Sequence, residues 1–234
     1  MVRTRLNSEL LQVLVSLPNG EGDSTRIPSL VDLSQQSGVS VARLREQLEV
    51  ARVMGLVEVR PRTGIRRLQY SFYPAVQHSL AYALELDRGY FEKFAELRNQ
   101  LEAAYWHQAV RLLTPQDHLE LKQLLASAWS KLNGSQIEIP HAEHRQLHLL
   151  IYRRLDNPFV AGILEAYWEA YEAVGLNLYA GLEYLHEVWN YHQRMVDAVC
   201  AGDFNAGYQA LVEHTDLLYI RSKPAIMDHP ALGE

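Results

Sequence analysis

Cysteine is nearly missing from this 234-residue chain, where Cys200 stands alone. A single cysteine cannot close an intrachain disulfide, which excludes a disulfide-stapled scaffold and points to a reducing compartment. No run reaches about 18 uninterrupted apolar residues, the rough minimum for a membrane-spanning helix. The opening residues, MVRTRLNSELLQ, lack the continuous apolar stretch of a secretory leader. Internal repeats and low-complexity tracts are lacking too, as is a His-Glu-x-x-His motif of helical metallohydrolases. The expectation is a cytoplasmic globular protein with no membrane partner. Apolar residues at 48% and charged residues at 21% leave ample material for a core. The length suits one large domain or two small ones.

Charge is unevenly spread. Residues 1–75 hold ten arginines and seven acidic residues, a net +3, whereas residues 76–234 carry −9. A basic end joined to an acidic body suggests two modules with different partners.

The basic module reads as helices followed by a hairpin. Leu6, Leu10, Leu11, Leu14 and Val15 recur at helical spacing up to the loop signal Pro18-Asn19-Gly20. A short second helix is expected from about Pro28, with that proline in its first turn, to Gly38. Ser40 caps a third helix over residues 41–54, closed by Gly55. Residues 56–60 alternate as a strand, Pro61-Arg62-Thr63-Gly64 is a turn, and residues 65–70 return as a second strand. Arg60, Arg62, Arg66 and Arg67 are expected at the tip of this hairpin. Two helices joined by a short Gly-containing turn, then an arginine-rich hairpin, outline a winged helix-turn-helix. Its third helix can enter a major groove while the wing meets phosphates or the minor groove of double-stranded DNA. Arg43 and Arg45 diverge by about 200° around that helix, so one can read a base while the other holds phosphate.

The runs Gly38-Val39-Ser40, Leu44-Arg45-Glu46, Gly55-Leu56-Val57 and Arg60-Pro61-Arg62-Thr63-Gly64 resemble the DNA-binding domain of GntR-type bacterial transcription regulators, over about Asn7 to Arg67. The resemblance implies operator contacts from Arg45 and from the basic wing ending in Gly64. The full set expected at DNA is Ser40, Arg43, Arg45, Arg60, Arg62, Thr63, Gly64 and Arg66. Two departures matter. Val41 stands where the family has a basic residue, and Leu30-Val31 replaces its usual Glu-Arg, so Arg43 can substitute for a lost contact.

Beyond residue 72 the periodicity is helical almost throughout, which predicts an all-α bundle. A long helix spans residues 90–113. Thr114-Pro115 starts the next, Gly134 breaks it, and Pro140 starts another. Further helices cover about residues 159–174 and 177–201, and Gly202-Asp203 is a stop and restart before a last helix to about Arg221. His144 and His148, four apart, project from one helical face. His192 and His214 each lie eleven residues from Asp203. In an antiparallel hairpin they stand level, roughly 16 Å from the turn. Three helices can thereby bring four imidazoles to one level, a donor set suited to zinc, nickel, copper or iron.

Arg98 with Leu101-Glu102, His148 with Asn157-Pro158, His192 through Asp197-Ala198 to Gly202-Asp203, and His214 resemble the FCD effector-binding domain of the FadR-like GntR branch, over about Tyr90 to Tyr219. The resemblance implies a homodimer. It also implies a divalent metal held by one Asp and three His, completed by a small carboxylate effector. His148, His192 and His214 fall on the three histidine positions, and His144 occupies the Asp position. Losing that hard oxygen ligand predicts zinc or nickel over magnesium or manganese. Arg98 is the candidate for the effector carboxylate, with a surface pairing to Glu102 as the other reading. The expected organisation is therefore a winged helix-turn-helix at residues 1–72, a linker at 73–89, a helical effector and metal domain at 90–221, and a tail at 222–234. Two other functions fit less of the pattern: a metal-free regulator of a larger ligand such as an acyl thioester, and a bundle metalloenzyme.

Overall fold

Serine side chains start the first three helices. The computed structural model describes residues 8–18, 25–61, 64–175 and 181–222. Within them Ser8, Ser29 and Ser40 accept hydrogen bonds from the backbone N–H of Leu11, Asp32 and Arg43. These caps begin α1 (Glu9–Ser16), α2 (Leu30–Ser37) and α3 (Val41–Val53). Each satisfies an otherwise orphaned donor and contributes about 1 kcal/mol. Pro28 thus lies before the α2 cap, outside the helical turn expected for it, because the Ser29 hydroxyl supplies the acceptor. Gly38 ends α2 in the left-handed conformation (φ 73°).

Strands β1 (Val57–Arg60) and β2 (Gly64–Arg67) pair antiparallel in the register Glu58–Arg66 and Val59–Ile65. Beside β2, Arg26 bridges to Arg66, and Ile27 N–H donates to the Ile65 carbonyl at 3.0 Å. Leu10, Leu14, Ile27, Leu33, Leu44, Leu48, Ala51 and Val57 form the core beneath. Burying each such leucine contributes roughly 1.5–3 kcal/mol. Gly55, at φ 68°, is obligatory on two counts, since a Cβ there would come within 2.5 Å of Pro74.

The expected linker, 73–89, is largely helix α4 (Tyr73–Leu86). Pro74 in its first turn and the Ala/Leu-rich run after it favour that state. The chain separates within α4 into two compact units, Met1–Ser79 and Leu80–Glu234.

The second unit adds α5 (Tyr90–Val110), α6 (Pro115–Leu132), α7 (His141–Tyr152), α8 (Pro158–Ala173), α9 (Leu182–Ala201) and α10 (Phe204–Ser222). Thr114 and Asp117 close a reciprocal capping box at α6, with Pro115 as its first helical residue. Asp117, fully buried, also receives Arg153 and Arg154 from the end of α7, which pins that helix to α6. Gly202 (φ 78°) ends α9, and Asp203 Oδ1 accepts from Ala206 N–H to start α10, so the expected hairpin forms. Its core is built on Trp106, Leu121, Leu147, Ile151, Trp189 and Met195. Gly207 lets α10 approach α5 closely, because a Cβ there would lie 2.7 Å from Trp106. Ser222, expected to open the tail, is the last residue of α10; the rest of the predicted tail, 223–234, and residues 176–180 lie outside the described residues. No helix among the described residues is long and apolar enough to cross a membrane.

Candidate metal centre and nucleic-acid interface

Helices α7, α9 and α10 converge on the four histidines. His144 and His148 come from successive turns of α7, His192 from α9 and His214 from α10. One ring nitrogen of each lies within 4.8 Å of the others. His148 Nε2 and His192 Nε2 stand 3.1 Å apart, and the His192 and His214 ring centroids are separated by 4.4 Å. Nitrogens around one zinc ion at about 2.0–2.1 Å sit roughly 3.3 Å apart when tetrahedral, so small side-chain adjustments suffice.

The surroundings favour a cation. His148, His192 and His214 have no solvent exposure and His144 has 9%. Burial is the leading cause that holds all four imidazoles well below their ordinary pKa; Arg98 pushes the same way on each, and neighbouring His on all but His148, while Glu102 opposes the shift at His214. They are therefore neutral and carry lone pairs, the coordinating form. Buried His144 Nε2, His192 Nδ1 and both His214 nitrogens have no hydrogen-bond partner. Unpaired buried polar atoms cost about 1–3 kcal/mol each, which a coordinated ion offsets.

Behind His148 lies a buried ion pair, which keeps the Arg98–Glu102 pairing of one sequence reading and the inward placement of the other. Arg98 and Glu102, one turn apart on α5, meet at 3.0 Å with 1% and 0% exposure. Both Glu102 carboxylate oxygens lie 3.2 Å from His148 Nδ1, and Arg98 Nη2 lies 2.9 Å from the same nitrogen. Desolvation pushes the Glu102 carboxyl upward while Arg98 opposes it. The guanidinium also sits over the Tyr167 and Trp168 rings, at 4.7 and 5.5 Å. Glu102 was signalled by the i, i+4 spacing and by its place in the Arg98 with Leu101-Glu102 run, and neither assigned it a place behind His148.

Aromatics wall the histidines. His144 packs edge-on against Trp168 (4.6 Å), Trp189 (6.1 Å) and Tyr171 (6.2 Å). Two buried donors near this wall, Arg98 Nε and Trp168 Nε1, have no partner. His141, also on α7, belongs elsewhere: it stacks on Tyr171 and pairs with Glu172.

In the first unit, α3 buries Leu44 and Leu48 and leaves Ser40, Arg43 and Arg45 exposed. Arg43 is held 3.4 Å from Glu9, whereas Arg45 has no ion-pair partner among the described residues. Arg60 pairs with Glu58 on its own strand at 2.9 Å. Arg66 lies half-buried on β2, and Gly64 opens that strand at φ 83°. Arg62 and Thr63 lie outside the described residues. Arg67 is not at the hairpin tip: its guanidinium donates to the carbonyls of Leu14, Leu17 and Pro18. Exposed Arg26, which sequence reasoning passed over, reaches the wing, with Nε 3.6 Å from the position a Cβ on Gly64 would take.

Comparison with known proteins agrees with this architecture. The FCD domain family matches residues 93–217. The HTH-type transcriptional regulator YieP of Escherichia coli is 25% identical over 193 residues, 80% of this chain and 81% of YieP. The HTH-type transcriptional regulator McbR of the same organism is 27% identical over 159 residues, 68% of this chain and 62% of McbR. Among solved structures, Streptococcus agalactiae GntR superposes with a TM-score of 0.64 at 16% identity, covering 91% of this chain and 96% of that one, a likeness of fold.

Proposed function

The chain belongs to the FCD-domain family of GntR-type transcription regulators, and on that premise we propose that a small carboxylate, held beside a divalent metal in the helical unit, controls operator binding by a homodimer. Regulators of this family bind operator DNA and generally act as dimers. Pairing gives a small winged helix its half-site specificity and affinity.

One observation carries the metal reading: four buried, neutral imidazoles present their ligand atoms within 4.8 Å of one another. His144, His148, His192 and His214 would hold the ion, with His144 in place of the family's Asp. Four neutral ligands leave a dication its full charge, which supplies electrostatic attraction for an anion. An all-imidazole set favours zinc or nickel over magnesium or manganese. The unpartnered Nε of Arg98 and Nε1 of Trp168 are donors for the anion's oxygens. Aromatic walls keep the effector small.

At DNA, Arg45 is the preferred base-reading residue, since Arg43 is shared with Glu9. Ser40, Arg60, Arg62, Thr63, Gly64 and Arg66 serve the backbone or minor groove, with Arg26 adding positive charge beside the wing. Effector and operator are coupled through the relative placement of two winged helices, typically by ~1–3 kcal/mol.

The test is metal content of protein purified without an affinity tag, compared with His148→Ala/His192→Ala. About one divalent ion per chain, lost in the double variant, supports the reading. No ion bound even after incubation with zinc or nickel overturns it.

A further inference from the structure

Two neighbours compete for His148 Nδ1. Glu102 offers acceptor oxygens at 3.2 Å on both sides of its carboxylate, and Arg98 offers an N–H at 2.9 Å. The nitrogen can satisfy only one of them. If it carries a lone pair, it accepts from Arg98, but two carboxylate oxygens then face that lone pair in a site without solvent. If it carries the proton, it donates to Glu102, and Arg98 Nη2 keeps its own acceptor, Glu102 Oε2, at 3.0 Å. The second arrangement gives both the His148 proton and the guanidinium a carboxylate acceptor, and it requires the Arg98 N–H to turn from Nδ1 towards Glu102. It also frees His148 Nε2, the nitrogen 3.1 Å from His192, to act as a ligand.

We propose that Glu102 is a positioning residue that fixes the His148 tautomer with the proton on Nδ1 and the lone pair on Nε2, and that Arg98 serves first to neutralise and orient Glu102. This inference rests on the metal reading above. Outer carboxylates that take the second N–H of a ligand histidine fix ring orientation and raise its basicity, and their loss typically weakens metal binding about 10–100-fold. The Tyr152 hydroxyl donates to the Glu102 carbonyl at 2.9 Å, tying the α7 helix that carries His148 to the same residue's backbone. Isosteric Glu102→Gln reverses the logic. Its carbonyl oxygen takes Arg98, and its amide N–H donates to Nδ1, which selects the tautomer unable to coordinate through Nε2.

The experiment has two readouts on the full chain. Imidazole nitrogen NMR of the metal-free wild type reports which His148 nitrogen carries the proton, with the resonance assigned by its loss in His148→Ala. Competition with a chromophoric chelator reports zinc affinity of wild type, Glu102→Gln and Arg98→Met/Glu102→Met, the last removing both charges together so that no buried ion is left unpaired. Expected are a proton on Nδ1 in the wild type, its move to Nε2 in Glu102→Gln, and zinc affinity reduced about 10–100-fold in both variants. A wild-type His148 protonated on Nε2, or folded variants binding zinc as tightly as wild type, overturns the proposal. If wild type binds no zinc or nickel, the metal reading fails, while the tautomer measurement still decides what Glu102 does. If the variants fail to fold, the wild-type spectrum decides it alone.

Discussion

His148 Nε2 lies 3.1 Å from His192 Nε2, although 44 residues and a change of helix separate them. Two neutral imidazoles so placed share at most one proton, and His214 stands beside both with neither of its nitrogens partnered. This arrangement is poorly satisfied without an ion, and it leads to the first three predictions.

Metal should stabilise the helical unit. Adding zinc at about 100 times its dissociation constant contributes roughly 2.7 kcal/mol to folding, by mass action on the native state alone. Thermal melts with and without chelator check this. The expected outcome is a higher midpoint with zinc in wild type and no shift in His148→Ala/His192→Ala.

Replacing His144 by Asp reinstates the oxygen ligand that the family pattern has at that position. His144→Asp should gain affinity for manganese relative to zinc. Competition titrations with both ions would detect it; an unchanged ratio would count against His144 as a ligand.

In chelator-treated protein, stability should fall as pH drops below about 6.5. Burial lowers the folded pKa of His144, His148, His192 and His214. The unfolded chain, with imidazoles near their ordinary value of about 6.5, then binds more protons than the fold. The stabilisation from their neutral state is complete above that pH and is lost progressively towards the lower folded values. Denaturant midpoints at pH 7.5 and 5.5 test the sign, and the double His variant should show a shallower dependence.

Two arginines of the winged helix should separate cleanly. Arg45→Ala should weaken binding to an operator selected from a random duplex pool by about 1–3 kcal/mol at a base contact, leaving the melting temperature unchanged. Arg67→Ala should destabilise its unit, because three backbone carbonyls lose a charged donor. Melting curves and a salt-dependent binding series on both variants distinguish contact from scaffold. Equal effects on melting would remove the distinction.

Much of this protein was legible residue by residue. Ser40, Thr114-Pro115 and Gly202-Asp203 mark helix ends through local hydrogen bonding, which depends on a few neighbouring residues only. His144 and His148 share a face because a helix turns every 3.6 residues. The equal spacing of His192 and His214 about Asp203 predicted their meeting once the hairpin closed.

What tertiary structure alone decided was which of these faces lost its water. Arg98 read equally as an inward effector contact or a surface partner of Glu102, and packing of α5 against α7 and α8 buries the pair behind His148. Arg67 read as one more wing arginine, yet the fold turns it onto the end of α1. Pro28 read as a helix start, but Ser29 takes the cap. Spacing along a chain sets which side chains point the same way. Whether that direction meets solvent, a carboxylate or another helix depends on contacts between residues far apart in sequence, and those exist only in the folded molecule.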